Sequence, residues 1–306
     1  MATHHKSDLD AVASITLLKE DDSSKEIKLF LRNDDEILNE IPGLIIGDRG
    51  KGEFYHYRPT STSLVAKELG IEDKREIRRL ISKVQRSDLQ GESLPFDVSD
   101  LIKCMQRTGI TNERIVELGT KIVKACLYFS KKSLKRKNEK VKKIVEEFLK
   151  KKKIKPPKFR KYLVKLNNEK FERPFDLVET YQTLVHQEEN KKEIKAFLEE
   201  LLEIEYNDSL NYLKAVEETK KAWKAIVKGC VICTYFTNNP RFKDTARNLL
   251  KALIIIIRNT SGHTQIYFDT QRIKERTIEI LISMIKLEKC LVQDRQIPKM
   301  DFRREN

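Results

Sequence analysis

Glycine and proline are scarce in this chain, with 10 and 8 among 306 residues. Together with the dominance of Lys and Glu among its charges, that scarcity suits a protein from a hot-living source. No apolar run approaches the ~20 residues that a bilayer span needs. The longest, "ALIIIIR" at 252–258, is strand-sized. The N-terminus lacks a basic region followed by an apolar core, so no secretory signal is expected. Cysteines number five, odd and widely scattered, which excludes a disulfide framework and makes the cytoplasm the default compartment. There is no internal repeat, and no biased segment apart from one lysine tract.

What is present is enough for two ordinary domains, with 39% hydrophobic and 35% charged residues in a soluble globular composition. The net charge of +14 is local. Residues 131–165 hold 17 Lys/Arg against 3 Asp/Glu, a net of +14, and the remainder balances at 44 of each sign. Such a concentration suits a polyanion partner, although "EKVKKIVEEFLKKK" also carries Glu/Lys pairs at the spacing of a solvated helix.

Over the first hundred residues short apolar strands alternate with helices. "EIKLFLRN" (26–33) and "GLIIGD" (43–48) read as strands, the second being a buried parallel type. After Asp8, Leu9, Val12, Ala13, Leu17 and Leu18 recur at helical spacing. "TSTSLVAKELG" reads as a helix with Thr/Ser capping candidates and Gly70 as its stop, and "DKREIRRLISKVQR" as one burying Ile77, Leu80, Ile81 and Val84. This alternation predicts an α/β fold with a largely parallel sheet. From about residue 111 helix dominates: "TNERIVELGTKIVKACLYF" runs on into the basic stretch, which stops at Pro156-Pro157, and more helix follows over about 189–222. The last ninety residues return to α/β. There "AIVKGCVICTYF" reads as one strand, "FKDTARNLLKA" as a helix, "LIIIIRN" and "TQIYFDT" as a hairpin-like pair, and the end as a final helix. Trp223, Tyr235 and Phe236 read as core. Cys230-x-x-Cys233 lies in a β-like run with no second cysteine pair, so a strand is the better account than zinc or redox chemistry. "RNTSGHT" (258–264) offers a tight turn at Gly262 flanked by Arg258 and His263, equally at home in an ordinary hairpin.

In an open α/β sheet the functional loops lie at the carboxyl ends of the strands. His4, His5, Asp8 and Asp10 follow a very short first strand, Asp48 ends "GLIIGD", His56 lies in "EFYHYRPTSTS", and Asp88 ends a helix in "QRSDLQG". Carboxylates and imidazoles without cysteine make a site suited to Mn²⁺ or Mg²⁺. Four carboxylates in one pocket would repel unless cations neutralised them, and so many ligands suit two metals rather than one. A capping role would explain one aspartate near the start of the first helix, but not the whole set.

The order of these motifs resembles the DHH superfamily of phosphoesterases. That group includes RecJ-like single-strand exonucleases, nanoRNA and cyclic-dinucleotide phosphodiesterases, and family II pyrophosphatases. The resemblance covers residues 1–100 and extends loosely to the C-terminal part. It implies one metal held by His4, Asp8 and Asp48 and a second by Asp10, Asp48, His56 and Asp88, with Asp48 bridging and a metal-activated water attacking phosphorus. It also implies a catalytic domain over 1–125, a helical basic connector over 126–220, and a smaller α/β substrate-binding domain over 221–306. There Arg258, Gly262 and His263 would face the substrate. Where the family has Asp-His-His, this chain has Tyr55-His56-Tyr57. The middle His survives, and Tyr57 with Arg58 would supply the contacts to phosphate.

The activity expected from these features is hydrolysis of phosphodiester bonds in single-stranded or short nucleic acid, with the tract, including Lys150, Lys151, Lys152 and Lys153, guiding the polyanion. Two alternatives stand beside it. One is a phosphohydrolase of small nucleotides or pyrophosphate. The other is a non-catalytic nucleic-acid-binding protein, against which all six ligands are retained. No membrane partner is expected, and nothing in the sequence opposes assembly as a homodimer.

Overall fold

The computed structural model describes residues 2–3, 7–21, 28–29, 46–47, 54–55, 60–90, 94–153, 156–168, 176–227, 229–269 and 300–302. The chain is an α/β protein, mostly helical, that divides into two compact units, residues 1–207 and 208–306.

The first unit begins with strand β1 (Ala2–Thr3), helix α1 (Leu9–Asp21) and strands β2 (Lys28–Leu29), β3 (Ile46–Gly47) and β4 (Phe54–Tyr55). β1 pairs in parallel with β2, and β3 in parallel with β4. Of the expected strands over 26–33 and 43–48, only residues 28–29 and 46–47 are thus described. α1 is buried on every side from Leu9 to Leu18, polar Ser14 and Thr16 included. A helix enclosed all round must satisfy its hydroxyls internally. Thr16 Oγ1 donates to the Val12 carbonyl at 2.7 Å, and the Ser14 and Thr62 hydroxyls lie 3.4 Å apart.

Around α1 pack α2 (Ser61–Glu68), α3 (Arg75–Gln90), α4 (Val98–Arg107) and α5 (Asn112–Lys131). Gly70 ends α2 at φ +62°, a left-handed conformation that glycine adopts without strain. The Ile71 N–H closes the turn on the Ala66 carbonyl at 2.9 Å. Gly119, inside α5, permits a close approach to α1: a Cβ there would stand 2.8 Å from Val12 Cγ1.

The basic stretch is not one helix continuing α5. A turn over 132–138 separates α5 from α6 (Glu139–Lys152), and Lys153 closes α6 in the left-handed region. Pro157 does not stop a helix. It opens α7 (Pro157–Asn167), where its missing N–H costs nothing. Helices α8 (Leu177–His186) and α9 (Lys191–Lys221) follow. The apolar sides of α6 and α7 join the same core as α1 through Val141, Val145, Phe148, Phe159 and Tyr162. Phe159 meets Phe96 edge-on at 4.9 Å and stacks near Phe148 at 5.9 Å. Of the connector expected over 126–220, the described helices α6, α7 and α8 bury apolar side chains in the same core as α1.

In the second unit β5 (Trp223–Val227), β6 (Cys230–Phe236), β7 (Ile254–Arg258), β8 (Thr264–Phe268) and β9 (Met300–Phe302) form one sheet in that order. The stretch 225–236 is not a single strand, because Gly229 turns at φ +81° and sets β5 antiparallel to β6. β6 and β7 run parallel around α10 (Phe242–Leu250), β7 and β8 form the expected antiparallel hairpin, and β8 and β9 are parallel. The larger sheet is thus mixed. α10 covers the face carrying Cys233, Ile255 and Ile257, and Phe242 stacks on Tyr235 at 5.1 Å. The final helix expected after 269 lies outside the described residues. No described helix is long and apolar enough to cross a membrane.

Candidate functional site

Three of the expected ligands directly follow strand ends in the sequence: His4 follows β1, Asp48 follows β3 and His56 follows β4. β3 and β4 are in register, Ile46 beside Phe54 and Gly47 beside Tyr55, and β1 lies against β3. His4, Asp48, His56, Tyr57 and Arg58 themselves lie outside the described residues, as does His5.

The other three ligands are described, and each has a local setting. Asp8 Oδ1 accepts the Ala11 N–H at 3.0 Å, so it caps the start of α1. Asp10 is buried and caps a different helix. Its Oδ2 accepts the Ser61 N–H at 2.9 Å, and its Oδ1 accepts the Thr62 N–H at 2.8 Å and the Thr62 hydroxyl at 2.6 Å. Thr60, the residue before α2, makes no side-chain cap bond of its own. The cap expected from the local Thr/Ser residues is supplied instead from fifty residues away, with a carboxylate against the positive end of the helix. Asp88 stands exposed in the last turns of α3.

The lysine tract is partly neutralised. Lys151 pairs with Glu199 at 3.1 Å and Lys152 with Glu203 at 2.7 Å, both acids on α9. Lys152 also lies over the Phe148 and Tyr206 rings. Arg136 is drawn inward onto Asp176 and Glu179, and Lys158 onto Asp100 and Glu205. Of the four lysines expected to touch substrate, Lys151 and Lys152 are thus committed to α9. Lys150 and Lys153 stay exposed, as do Lys140, Lys143, Arg160 and Lys161.

A second group was not legible in the sequence. Asp100 and Cys104, one turn apart on α4, meet Glu205 of α9, with ligand atoms within 4.8 Å of one another. Lys158 enters from the first turn of α7, its Nζ 2.8 Å from Asp100 Oδ2, 3.0 Å from Cys104 Sγ and in contact with Glu205 Oε2. Its ammonium supplies the positive charge that these side chains could otherwise take from a metal ion. Burial and the Asp100 charge push the Glu205 carboxyl up to about 8, against the lowering effect of Lys158. Asp100 goes the other way. Burial alone would raise it, but Lys158, Arg107 and a hydrogen bond shared with Glu205 hold it below its usual value. Burial beside Asp100 thus favours the protonated form of Glu205, and Lys158 favours the charged form of Asp100. Only the Asp/Cys spacing on one helix face hints at this group; Glu205 looks like any other acid of the Glu-rich α9.

In the second unit, Arg258 and His263 are exposed at the two ends of the β7–β8 turn. The loop is ordered by Asn259, whose Oδ1 accepts from the Ser261 hydroxyl at 2.7 Å and the His263 N–H at 2.9 Å, and Gly262 takes φ +81°. Cys233 is buried under α10, and Cys230, three residues away on the same strand, points to the other face. Trp223 and Phe236 are not core: they are 63% and 57% exposed. An open groove of about 910 Å³ between α1, α3 and α5 is lined by five lysines and five acids and includes none of the expected site residues.

Comparison of the chain with protein-family models, with curated proteins and with solved structures finds no match.

Proposed function

We propose that the protein is a DHH-like phosphoesterase that hydrolyses phosphodiester bonds of single-stranded or short nucleic acid. One observation carries this reading: His4, Asp48 and His56 each come next in the chain after a short strand, two of those strands being parallel and in register. That is the position from which open α/β folds build their sites. Asp8 and Asp10 flank the start of α1, the first helix after β1, where the family resemblance requires them. His4, Asp8, Asp10, Asp48, His56 and Asp88 would hold two Mn²⁺ or Mg²⁺ ions, which lower the pKa of bound water to near neutrality. The donors are hard oxygens and imidazoles, as those ions prefer. The exposed lysines of α6 and α7 would draw in the polyanion.

The test is Asp48→Asn, assayed with Mn²⁺ on a short single-stranded oligonucleotide. Loss of hydrolysis with an unchanged unfolding midpoint supports the assignment, and full activity in the variant ends it. A second reading, a non-catalytic nucleic-acid-binding protein, draws on the engagement of both Asp10 oxygens by the start of α2. A metal titration separates the two, because the binding protein would take up no pair of ions per chain.

A further inference from the structure

We propose that Trp223, Phe236 and Arg258 form a platform on which bases of single-stranded nucleic acid stack. The inference rests on the reading above only in taking nucleic acid as the partner.

Strand register places the three side chains. Successive residues of a strand point to opposite faces of the sheet. Cys233 and Tyr235 face α10, so Thr234 and Phe236 face the other way. Trp223 is paired with Thr234 and therefore shares that face. It stands diagonally beside Phe236, a spacing of about 7–8 Å that large side chains bridge. Phe236 is paired with Arg258. The result is a row across β5, β6 and β7 of indole, phenyl ring and guanidinium. Farther along the same face Ile254, Ile266 and Phe268 are buried, whereas this corner is open.

Two exposed aromatic side chains side by side are not an ordinary surface, since they forgo the large stabilisation that burying such rings brings. Sheet-borne aromatic rings and planar guanidinium groups are what single-strand binding domains offer to unstacked bases. The surroundings favour nucleic acid over a protein partner. Thr264 extends the row beyond Arg258, and Thr234 stands between Trp223 and Ile256 on the same face. The loops after β6 and β7 are polar and tied together, Asn238 Nδ2 donating to Thr260 Oγ1 at 2.6 Å and the Thr260 N–H to Asn238 Oδ1 at 3.0 Å. Residues 208–306 hold 19 Lys/Arg against 11 Asp/Glu, a net of +8, so the unit attracts a phosphate backbone.

Trp223 is the chain's one tryptophan, so its emission reports on the platform alone. The full chain, in EDTA to prevent turnover, is titrated with a twelve-residue oligothymidylate and with an abasic strand of equal length. Labelled-strand anisotropy measures affinity in parallel. The thymidylate should quench the emission and the abasic strand should bind more weakly without quenching. Phe236→Ala should weaken thymidylate binding by about five- to a hundredfold, the value of one stacked base, at an unchanged unfolding midpoint. Phe236→Tyr should retain it. Binding without quenching, equal affinity for the abasic strand, or no binding at all overturns the platform. So does an emission change that follows protein concentration alone, which would mean a second copy covering Trp223. A protein that quenches but never hydrolyses with Mn²⁺ keeps the platform and loses the phosphoesterase reading; one that hydrolyses without quenching does the reverse.

Discussion

Replacing Glu205 by Gln should remove a pH-dependent weakness from the first unit. In the folded chain Glu205 is held near 8, against 4.5 for an ordinary glutamic acid. Between those values the folded state keeps a proton that the unfolded chain has released. Stability from this group is therefore complete below pH 4.5 and drains away as pH rises through 8. Each pH unit in that window is worth about 1.4 kcal/mol, so the full loss is at most about 5 kcal/mol. Asp100 and Glu205 act on each other directly as well as sharing Lys158, so the pair titrates together and the observed loss should be smaller, a few kcal/mol. Gln fits the same contacts. Its amide N–H₂ can donate to Asp100, and its carbonyl can accept from Lys158, without any group left to ionise. Urea unfolding of wild type and Glu205→Gln from pH 5 to 9 gives the comparison. The two should be similar at pH 5, and the variant should be the more stable by a few kcal/mol at pH 9. Parallel curves across that range would refute the assignment of the proton to Glu205.

Two further outcomes concern the expected site and the tract. Asp10→Ala should lower stability by about 2–4 kcal/mol even in EDTA, because it strands the Ser61 and Thr62 donors at a buried helix start; a urea midpoint unchanged without metal would show that the capping bonds contribute nothing. Changing Lys140, Lys143 and Lys150 together to Gln should reduce the salt dependence of single-strand binding, by about 0.7 in log–log slope for each phosphate no longer neutralised. Lys151 and Lys152 changed to Gln should reduce it less per lysine, since each already faces an acid of α9. Equal loss per lysine in the two variants would remove that distinction.

Local pattern determined much of this protein. The apolar spacing in 9–21, 75–90 and 112–131 sufficed for three helices, Gly70 for the end of α2, and "RNTSGHT" for the β7–β8 turn, because each depends on neighbours within a few residues. The α/β class followed from the same alternation. Where a decision depended on distant partners, the chain alone was ambiguous. "AIVKGCVICTYF" is apolar on both sides of Lys228-Gly229, and only the antiparallel pairing about Gly229 shows two strands with Trp223 and Phe236 left outside. The lysine tract has one composition but three fates: acids of α4, α8 and α9 draw in Lys158 and Arg136, further acids of α9 pair with Lys151 and Lys152 nearer the surface, and Lys140, Lys143 and Lys150 stay in water. Asp10 has the spacing of a metal ligand, yet its hydrogen bonds go to α2, a partner fifty residues on that no motif announces. Tertiary structure decided these cases because a charge takes its character from whatever burial places beside it, and helix and strand periodicities record only which side of an element is buried, not what it meets there.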